Sequence, residues 1–231
     1  MSPTFVTPTS LWLSIYSCSD LPIAGDAPAP SGVDVEVTHD ELGCPVLHGR
    51  RIQAQLKEAW HRLQPAHQEW DATADGLIGK PGVGSPVGTR LTIGHATVAP
   101  ASREWIDWAV KRDQNPVAAS DVLDAFTVIR RSTARDRTRG GSPRPMTLRS
   151  VRCLRSGQTL YAPLVLGVDT KSVHLCLLAR LCLETRRIGL GRNRGLGLVS
   201  LDLVKGKDPL SAQSVLADFF NGVGPAASGK G

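Results

Sequence analysis

The chain has 231 residues, of which 41% are hydrophobic, so it can bury the core of one substantial domain and is not globally disordered. Its formal net charge is +6, and residues 1–49 contain no lysine or arginine, so all 27 basic side chains lie beyond them. A basic body of this kind suits a polyanion such as nucleic acid. The absence of a long apolar run excludes a transmembrane helix.

In the first half of the chain, hydrophobic periodicity predicts two strands and two helices separated by loops rich in glycine and proline. In chain order these are a strand over 10–17, a loop over 18–49, a helix over 50–63, a loop over 64–88, a strand over 89–98 and a short helix over 102–112. The helix over 50–63 is the clearest, because Ile52, Leu56, Trp60 and Leu63 fall on one stripe at helical spacing.

The second half opens with an arginine-rich segment over 130–155, which glycines and prolines interrupt, and we expect a mobile basic arm there. The elements predicted after the arm are strands over 147–153 and 159–167 joined as a hairpin, a helix over 171–187, a glycine-rich loop, a strand over 198–204 and a last helix over 211–220. Two βαβ-like halves in this order predict an α+β, ferredoxin-like fold, whose sheet is also the RRM platform for RNA.

The strongest local motif is Gly-Leu-Gly-Arg-Asn-Arg-Gly-Leu-Gly over 189–197. Glycines allow close backbone approach and present N–H groups to phosphates, and Arg192 and Arg194 would add charge-assisted contacts. The alternative is an ordinary glycine-rich turn between a helix and a strand. The spacing does not match a dinucleotide fingerprint, and the Gly79-Lys80 pair is followed by proline, which does not match a phosphate-binding P-loop.

Two further groups of residues could carry chemistry. Arg50 and Arg51 open the helix over 50–63, where free N–H groups favour anions, although they are equally explained as solvated arginines. The aspartates of the loop over 18–49 could bind a divalent metal ion or handle a proton near RNA, or could simply form turns. The candidate aspartates are Asp26, Asp34 and Asp40, and the residue pattern alone does not show which of the three has a chemical role.

Five segments resemble, in order, the motifs of the RAMP superfamily of CRISPR effector subunits. They are Val33–Asp40, Pro45–Ala54, Gly88–Ile93, Ile129–Thr133 and Gly189–Gly197. The chain departs from the family where Arg50 and Arg51 replace two serines and Arg130 replaces an aspartate. The resemblance implies a single domain over 1–231: a ferredoxin-like palm with finger and thumb excursions at about 18–49, 64–88 and 130–146, and a flexible tail over 221–231.

The resemblance also implies a function. It implies a backbone subunit of a cytoplasmic type III effector that binds guide RNA (crRNA) and cleaves target RNA with Mg²⁺ or another divalent metal ion. Asp34 lines up with the family's catalytic and metal-binding aspartate, and Asp26 is the alternative if the register slips. The implied partners are target RNA, other RAMP subunits, a large signalling subunit and small helical subunits, without a membrane.

The residues expected to contact RNA are basic, amide or glycine positions in the three basic segments. They are Arg50, Arg51, Gln53, Lys57, Arg130, Arg131, Arg135, Arg137, Arg139, Gly189, Gly191, Arg192, Arg194 and Gly195. Two alternative functions remain open. One is a non-catalytic capping or guide-handling subunit of the same complex, and the other is a free-standing ribonuclease that processes precursor guide RNA.

Overall fold

The structure is a computed structural model that describes residues 11–24, 33–79, 91–136, 138, 140–144, 146–167, 170–205, 208–209 and 212–222. Three predicted site residues lie outside the described residues: Asp26, Arg137 and Arg139. The side chain of Arg135 is likewise not described. No described helix is long and apolar enough to span a membrane.

The described chain contains both helices and strands. The helices are α1 (Gly49–Leu63), α2 (Asp71–Ile78), α3 (Pro100–Lys111), α4 (Ala119–Phe126), α5 (Ser172–Glu184) and α6 (Ala212–Gly222). The strands are β1 (Leu11–Ser17), β2 (Leu91–Ile93), β3 (Thr127–Ser132), β4 (Arg135–Asp136), β5 (Ser142–Pro143), β6 (Arg149–Leu154), β7 (Thr159–Leu166), β8 (Val199–Lys205) and β9 (Asp208–Pro209).

The main sheet has the strand order β2-β7-β1-β8-β9, and each neighbouring pair is antiparallel. Helix α1 lies between β1 and β2 in the chain, and α5 lies between β7 and β8. Strands β2, β7, β1 and β8 of this sheet, together with these two helices, therefore form two interleaved βαβ units, which is the ferredoxin-like arrangement. This confirms the α+β fold class predicted from the sequence.

The core lies between this sheet and its helices. In β1, alternate side chains are buried, and Leu13 and Ile15 pair with buried residues on both neighbouring strands. Leu13, for example, pairs with Ala162 of β7 and Leu203 of β8. Helix α5 packs against α1, α2 and α6, and its Leu177, Leu178 and Leu181 are fully buried. Burial of each such side chain stabilises the fold by about 1.5–3 kcal/mol.

The predicted hairpin of strands 147–153 and 159–167 is wrong, although both strands exist. β6 pairs with β3 in a separate two-stranded sheet, and β7 pairs with β1 and β2. The turn between β6 and β7 is bound to β1 instead: the Gly157 N–H donates to Ser17 O at 2.7 Å, and the Gln158 N–H donates to Ser17 Oγ at 3.0 Å. Contacts distant in sequence therefore send the two strands to different sheets.

Three other segments differ from the prediction. The segment over 64–88 contains α2, whose Ala74, Leu77 and Ile78 are buried, so it is not only a loop. Within residues 91–98, the described part of the strand expected over 89–98, the strand ends with β2: Gly94 lies against Pro163, and the chain then continues only through isolated bridges. Helix α4 was not predicted. Its eight residues are too few for a clear helical period in the sequence.

The long acidic loop over 18–49 is irregular but attached to the rest of the fold where it is described. Isolated bridges join Leu21 to Leu154, Val35 to Val151 and Leu47 to Ala96. The first two of these bridges hold the loop against β6. The loop therefore brings Asp20 and Asp34 to the β3–β6 sheet, whereas Asp40 accepts from Arg103 of α3.

Candidate nucleic-acid interface

The glycine-rich loop forms a compact turn after α5. The Arg194 N–H donates to Gly191 O at 2.8 Å within a 3₁₀ turn over Arg192–Arg194. The guanidinium of Arg187 donates to the carbonyl oxygens of Arg192 and Leu196, at 2.7 and 3.3 Å. Arg187 therefore holds two parts of the loop together, a role that the sequence did not predict.

Glycine is required at both ends of this loop. Gly197 has φ +73°, and a Cβ atom there would lie 2.1 Å from Ile188 O. Gly189 has φ +85°, and its Cβ atom would lie 2.4 Å from Pro22 O. Both positions combine a left-handed conformation with contact against rigid backbone, so no other residue type fits without displacement.

We expect Gly197→Ala to destabilise the protein by about 2–3 kcal/mol, because it adds a backbone clash to left-handed strain. The matched control is Gly195→Ala: Gly195 also has a positive φ, +78°, but its Cβ atom would meet nothing within 4 Å. The control should cost only about 1 kcal/mol. Urea denaturation measures both values, and equal losses would contradict the close approach at Gly197.

Three adjoining cavities surround the glycine-rich loop. The central cleft, of about 640 Å³, lies between the loop and the β3–β6 sheet, and its charged lining residues are Asp34, Arg130, Arg131, Arg149 and Arg194. The Asp20 pocket, of about 480 Å³, shares Arg130 and Leu196 with the central cleft. On the other side, the α1-side cleft, of about 790 Å³, shares Leu190, Gly191 and Arg194 with it.

The structure therefore brings together residues from three separate sequence motifs. Asp34, Arg130, Arg131, Gly191 and Arg194 line the central cleft. Gly189 and Arg192 line the α1-side cleft, and Gly195 lines the Asp20 pocket. These eight predicted residues lie around one continuous surface, although they span 162 positions of the sequence, from 34 to 195.

Ser150 of β6 holds the carboxylate of Asp34. The N–H and the hydroxyl of Ser150 donate to Asp34 Oδ2, at 2.6 and 3.0 Å, and Ser150 Oγ accepts from the Asp34 N–H at 3.2 Å. The Ser150 backbone and side-chain hydrogen bonds lower the pKa of Asp34 below its ordinary value, and nearby Arg149 adds to the effect. Asp34 is therefore an exposed, ionised and oriented carboxylate.

The segment that carries Asp34 is fixed by a largely buried arginine. The backbone N–H of Arg152 donates a hydrogen bond to Val35 O at 2.9 Å. The side chain of Arg152 contacts two carboxylates: Nε lies 2.8 Å from Glu36 Oε1 in an ion pair without hydrogen-bond geometry, and Nη1 donates to Asp124 Oδ1 at 2.5 Å. Arg152 thus joins the Asp34 segment and α4 to β6.

We expect Arg152→Met to destabilise the protein by about 3–5 kcal/mol, because the carboxylate of Glu36, whose side chain is 11% exposed, keeps the Val37 N–H but loses the cation that neutralises it. The double variant Arg152→Met with Glu36→Leu should recover most of this loss, because it removes both buried charges. Thermal or denaturant unfolding measures the difference. A loss below about 1 kcal/mol for Arg152→Met would contradict the proposed role of the ion pair.

The arginines around the central cleft differ in their availability. Arg131, Arg149 and Arg194 are exposed, and no carboxylate of the described residues lies within ion-pair distance of them. Arg130 is bound to Asp20. Arg192 donates to both carboxylate oxygens of Glu58 at 2.8 Å and to Gln55 at 3.2 Å, so it attaches the glycine-rich loop to α1.

The predicted residues at the start of α1 lie elsewhere. Arg50, Arg51, Gln53 and Lys57 line none of these three cavities. The side chain of Gln53 donates to Ile78 O at 3.3 Å, a contact between α1 and α2. The first N–H of the helix, that of Gly49, donates to His95 Nδ1 at 3.2 Å and is therefore already occupied. RNA contact by these four side chains stays a prediction.

Residue-by-residue reading of the sequence did not single out Arg149, Ser150 or Asp20 as site residues. Arg149 lines the central cleft, and Ser150 reaches Asp34 beside it, because β6 pairs with β3 in the register that sets Ser150 opposite Arg131. Asp20 lines the adjoining Asp20 pocket because the segment after β1 passes the glycine-rich loop, where Asp20 O accepts from the Gly197 N–H at 2.9 Å. Only the pairing of strands far apart in sequence carries this information.

The donors of the central cleft fit a divalent metal ion only in part. Asp34 is its one carboxylate among the described lining residues, and one of its oxygens is engaged by Ser150. Within the described part of the chain, no three His, Cys, Asp or Glu side chains cluster closely enough to hold a metal ion. Mg²⁺ often takes one carboxylate and completes its shell with water and phosphate oxygens. One carboxylate would therefore be enough for a metal ion here only if phosphate oxygens and water completed its shell.

No known family model matches the sequence, and no curated protein matches it. Solved structures are similar in fold. A chain of the type III-B Cmr-beta complex in its apo state, determined by cryo-electron microscopy, superposes with a TM-score of 0.61 at 14% identity, over 85% of this chain and 97% of that chain. A chain of the Cmr-beta complex bound to cognate target RNA gives a TM-score of 0.60 at 12% identity, over 89% of this chain and 98% of that chain. The chain therefore has the fold of a chain of the type III-B Cmr-beta CRISPR complexes, which confirms the predicted resemblance at the level of the fold.

Proposed function

We propose that the chain is a subunit of a type III CRISPR effector complex that binds guide RNA and cleaves target RNA at the central cleft. The similarity to chains of Cmr-beta complexes, one of them bound to target RNA, supports a subunit of such an assembly. The partners of the proposed assembly are guide RNA, target RNA, other RAMP subunits, a large signalling subunit and small helical subunits.

The observation that carries the proposal is the composition of the central cleft. One oriented carboxylate, Asp34, faces a surface on which Arg131, Arg149 and Arg194 lack carboxylate partners among the described residues. Guanidinium groups bind phosphates in fork geometry and release counterions, so they supply affinity for RNA. A carboxylate in such surroundings repels phosphates, and a chemical role for Asp34 explains its position there.

The continuity of the three cavities supports a path for a strand of RNA. From the Asp20 pocket, the surface continues past Arg130 and Leu196 into the central cleft, and past Leu190 and Gly191 into the α1-side cleft. The positive-φ glycines of the loop let backbone approach the phosphates without a Cβ atom between them. In this proposal the loop supports the ribose-phosphate backbone, and base pairing between guide and target supplies sequence specificity.

For cleavage, we propose that the 2′-hydroxyl of a target nucleotide attacks the adjacent phosphorus, which forms the new O–P bond and breaks the bond to the 5′-oxygen. The departing 5′-oxygen takes up a proton from water. The products are a 2′,3′-cyclic phosphate and a 5′-hydroxyl. Asp34 either accepts the proton of the 2′-hydroxyl or provides one oxygen to a divalent metal ion. A bound metal ion would stabilise the charge that develops on the phosphate. Ser150 keeps the carboxylate in position for either role.

A second candidate function is a non-catalytic subunit of the same complex. The cleft's single described carboxylate favours it, because many nucleases hold their metal ions with several acidic ligands. The third candidate, a free-standing processing ribonuclease, would need acid–base groups, and no described histidine lines these three cavities. We therefore keep the first two.

Reconstitution of the complex with guide RNA tests the proposal. We expect labelled complementary target RNA to be cut in Mg²⁺, and EDTA to stop the cutting. RNA binding without cleavage in any of Mg²⁺, Mn²⁺ or Co²⁺ would support the non-catalytic subunit. Cleavage of precursor guide RNA by the isolated chain in EDTA would support the processing ribonuclease. Failure of the chain to join the complex or to contact RNA would contradict both of the retained candidates.

A further inference from the structure

Asp20 is a largely buried carboxylate at the edge of the central cleft, with a relative exposure of 8%. Its two oxygens have different partners. Oδ1 accepts from the Ser156 N–H at 3.0 Å, and Oδ2 accepts from Arg130 Nε at 2.6 Å and also contacts Arg130 Nη2. The carboxylate therefore holds the guanidinium along one edge, by two nitrogen atoms.

Asp20 connects three segments that meet at the cleft. Through its side chain it joins β3, which carries Arg130, to the turn between β6 and β7, which carries Ser156. Through its backbone oxygen it accepts from the Gly197 N–H at the end of the glycine-rich loop, at 2.9 Å. Arg130 lines both the Asp20 pocket and the central cleft, at the junction of the two.

The other side of the Arg130 guanidinium is available. The side chain of Arg130 is 58% exposed, and its Nη1 has no hydrogen-bond partner among the described residues. An arginine that is fixed along one edge loses less rotamer freedom when its remaining N–H groups bind a phosphate. The buried carboxylate sets the orientation of the exposed cation.

We propose that Asp20 is a positioning residue for RNA binding, which orients Arg130 toward a phosphate at the junction of the Asp20 pocket and the central cleft. The inference rests on the proposed function, because it concerns the same RNA surface. It assigns a favourable role to an acidic side chain next to a polyanion. Electrostatics alone predicts the opposite, since removing a negative charge near RNA should strengthen binding.

The test measures the affinity of the full-length chain for a labelled single-stranded RNA of guide length across a range of salt concentrations. We expect Asp20→Asn to weaken binding by about three- to tenfold, although it removes a negative charge. Asp107→Asn is the control: it removes the charge of a carboxylate that is paired with Lys111 on α3 and lines none of the three cavities. It should change affinity by less than about twofold, through long-range charge alone.

Two further variants separate positioning from a structural role. Arg130→Lys keeps the charge and the exposed site but loses the two-nitrogen contact, so it should weaken binding as much as Arg130→Ala does, within about twofold. In an Arg130→Ala background, Asp20→Asn should no longer weaken binding. A purely structural Asp20 would lower stability in both backgrounds and affect RNA affinity equally in both. Arg130→Lys also supplies an answer if Asp20→Asn does not fold.

The outcomes distinguish this inference from the proposed function. If Asp20→Asn binds RNA with wild-type or higher affinity, the proposed role of Asp20 is overturned, but the proposed RNA surface is not. Wild-type affinity in Arg130→Lys would do the same. A wild-type chain without affinity for RNA, alone or in the reconstituted complex, would overturn the proposed function and this inference with it.

Discussion

Replacement of Asp34 with asparagine is expected to slow target RNA cleavage by about 10²- to 10⁴-fold and to leave guide-RNA binding intact. The amide oxygen of asparagine can still accept the hydrogen bonds that Ser150 N–H and Oγ–H donate to Asp34 Oδ2, so the local fold should persist. The variant loses the negative charge, which is the property needed to take a proton or to bind a divalent metal ion. Single-turnover cleavage of labelled target RNA by the reconstituted complex measures the effect.

The control for this experiment is Asp26→Asn, since Asp26 is the other aspartate that the motif alignment allows. A cleavage rate within about threefold of wild type is expected for it. Loss of cleavage in Asp26→Asn together with retained cleavage in Asp34→Asn would move the catalytic role to Asp26. Retained cleavage in both variants would reject an aspartate of this loop as the catalytic residue.

The lowered pKa of Asp34 limits how cleavage by this residue can depend on pH. Because the folded-state pKa lies below the ordinary value of 3.8, the contacts with Ser150 stabilise the fold above pH 3.8 and are lost as the pH falls through the folded-state pKa. Asp34 is therefore ionised throughout the range from pH 5 to 8. Any loss of cleavage within that range must arise from a group other than Asp34.

The double variant Arg131→Ala with Arg194→Ala is expected to weaken RNA binding by about 10- to 100-fold at moderate salt, if each arginine contacts one phosphate. The two residues line the central cleft from opposite walls, Arg131 on β3 and Arg194 on the glycine-rich loop. Losing two phosphate contacts should reduce the slope of log K against log salt by about 1.4 for a single strand. Titrations from low to high salt measure both quantities.

The charge-matched control is Arg180→Ala, because Arg180 is exposed on α5 but lines none of the three cavities. It should change affinity by less than about twofold, through long-range charge alone. A comparison within the loop is also informative: Arg192 is engaged by Glu58, so Arg192→Ala should weaken binding less than Arg194→Ala does. Equal effects of Arg180→Ala and Arg194→Ala would contradict a defined RNA surface.

Local patterns in the sequence were sufficient to predict β1 and α1 of the ferredoxin-like palm. The alternation in β1 and the stripe of Ile52, Leu56 and Trp60 in α1 predicted those elements within one residue of their observed bounds. This works because burial against one neighbouring layer imposes a period that is visible in consecutive residues. The glycine-rich loop was also evident, since positive φ at closely spaced positions favours glycine.

Local patterns failed where a strand had two available partners. β6 and β7 are adjacent in sequence, as hairpin strands are, but β6 pairs with β3 across a long excursion, and β7 pairs with β1. Strand pairing depends on which faces become buried together, and this is a property of the assembled chain rather than of neighbouring residues.

The sequence by itself determined the class of the fold, the basic character of the body and the order of the motifs that suggested RNA. Only the tertiary structure decided which of these residues meet. It brought Asp34 to Ser150, separated Arg192 from Arg194 by binding the first to Glu58, and set Asp20 against Arg130. Each of these contacts joins residues from separate segments, and only the pairing of strands and the packing of helices bring such segments together.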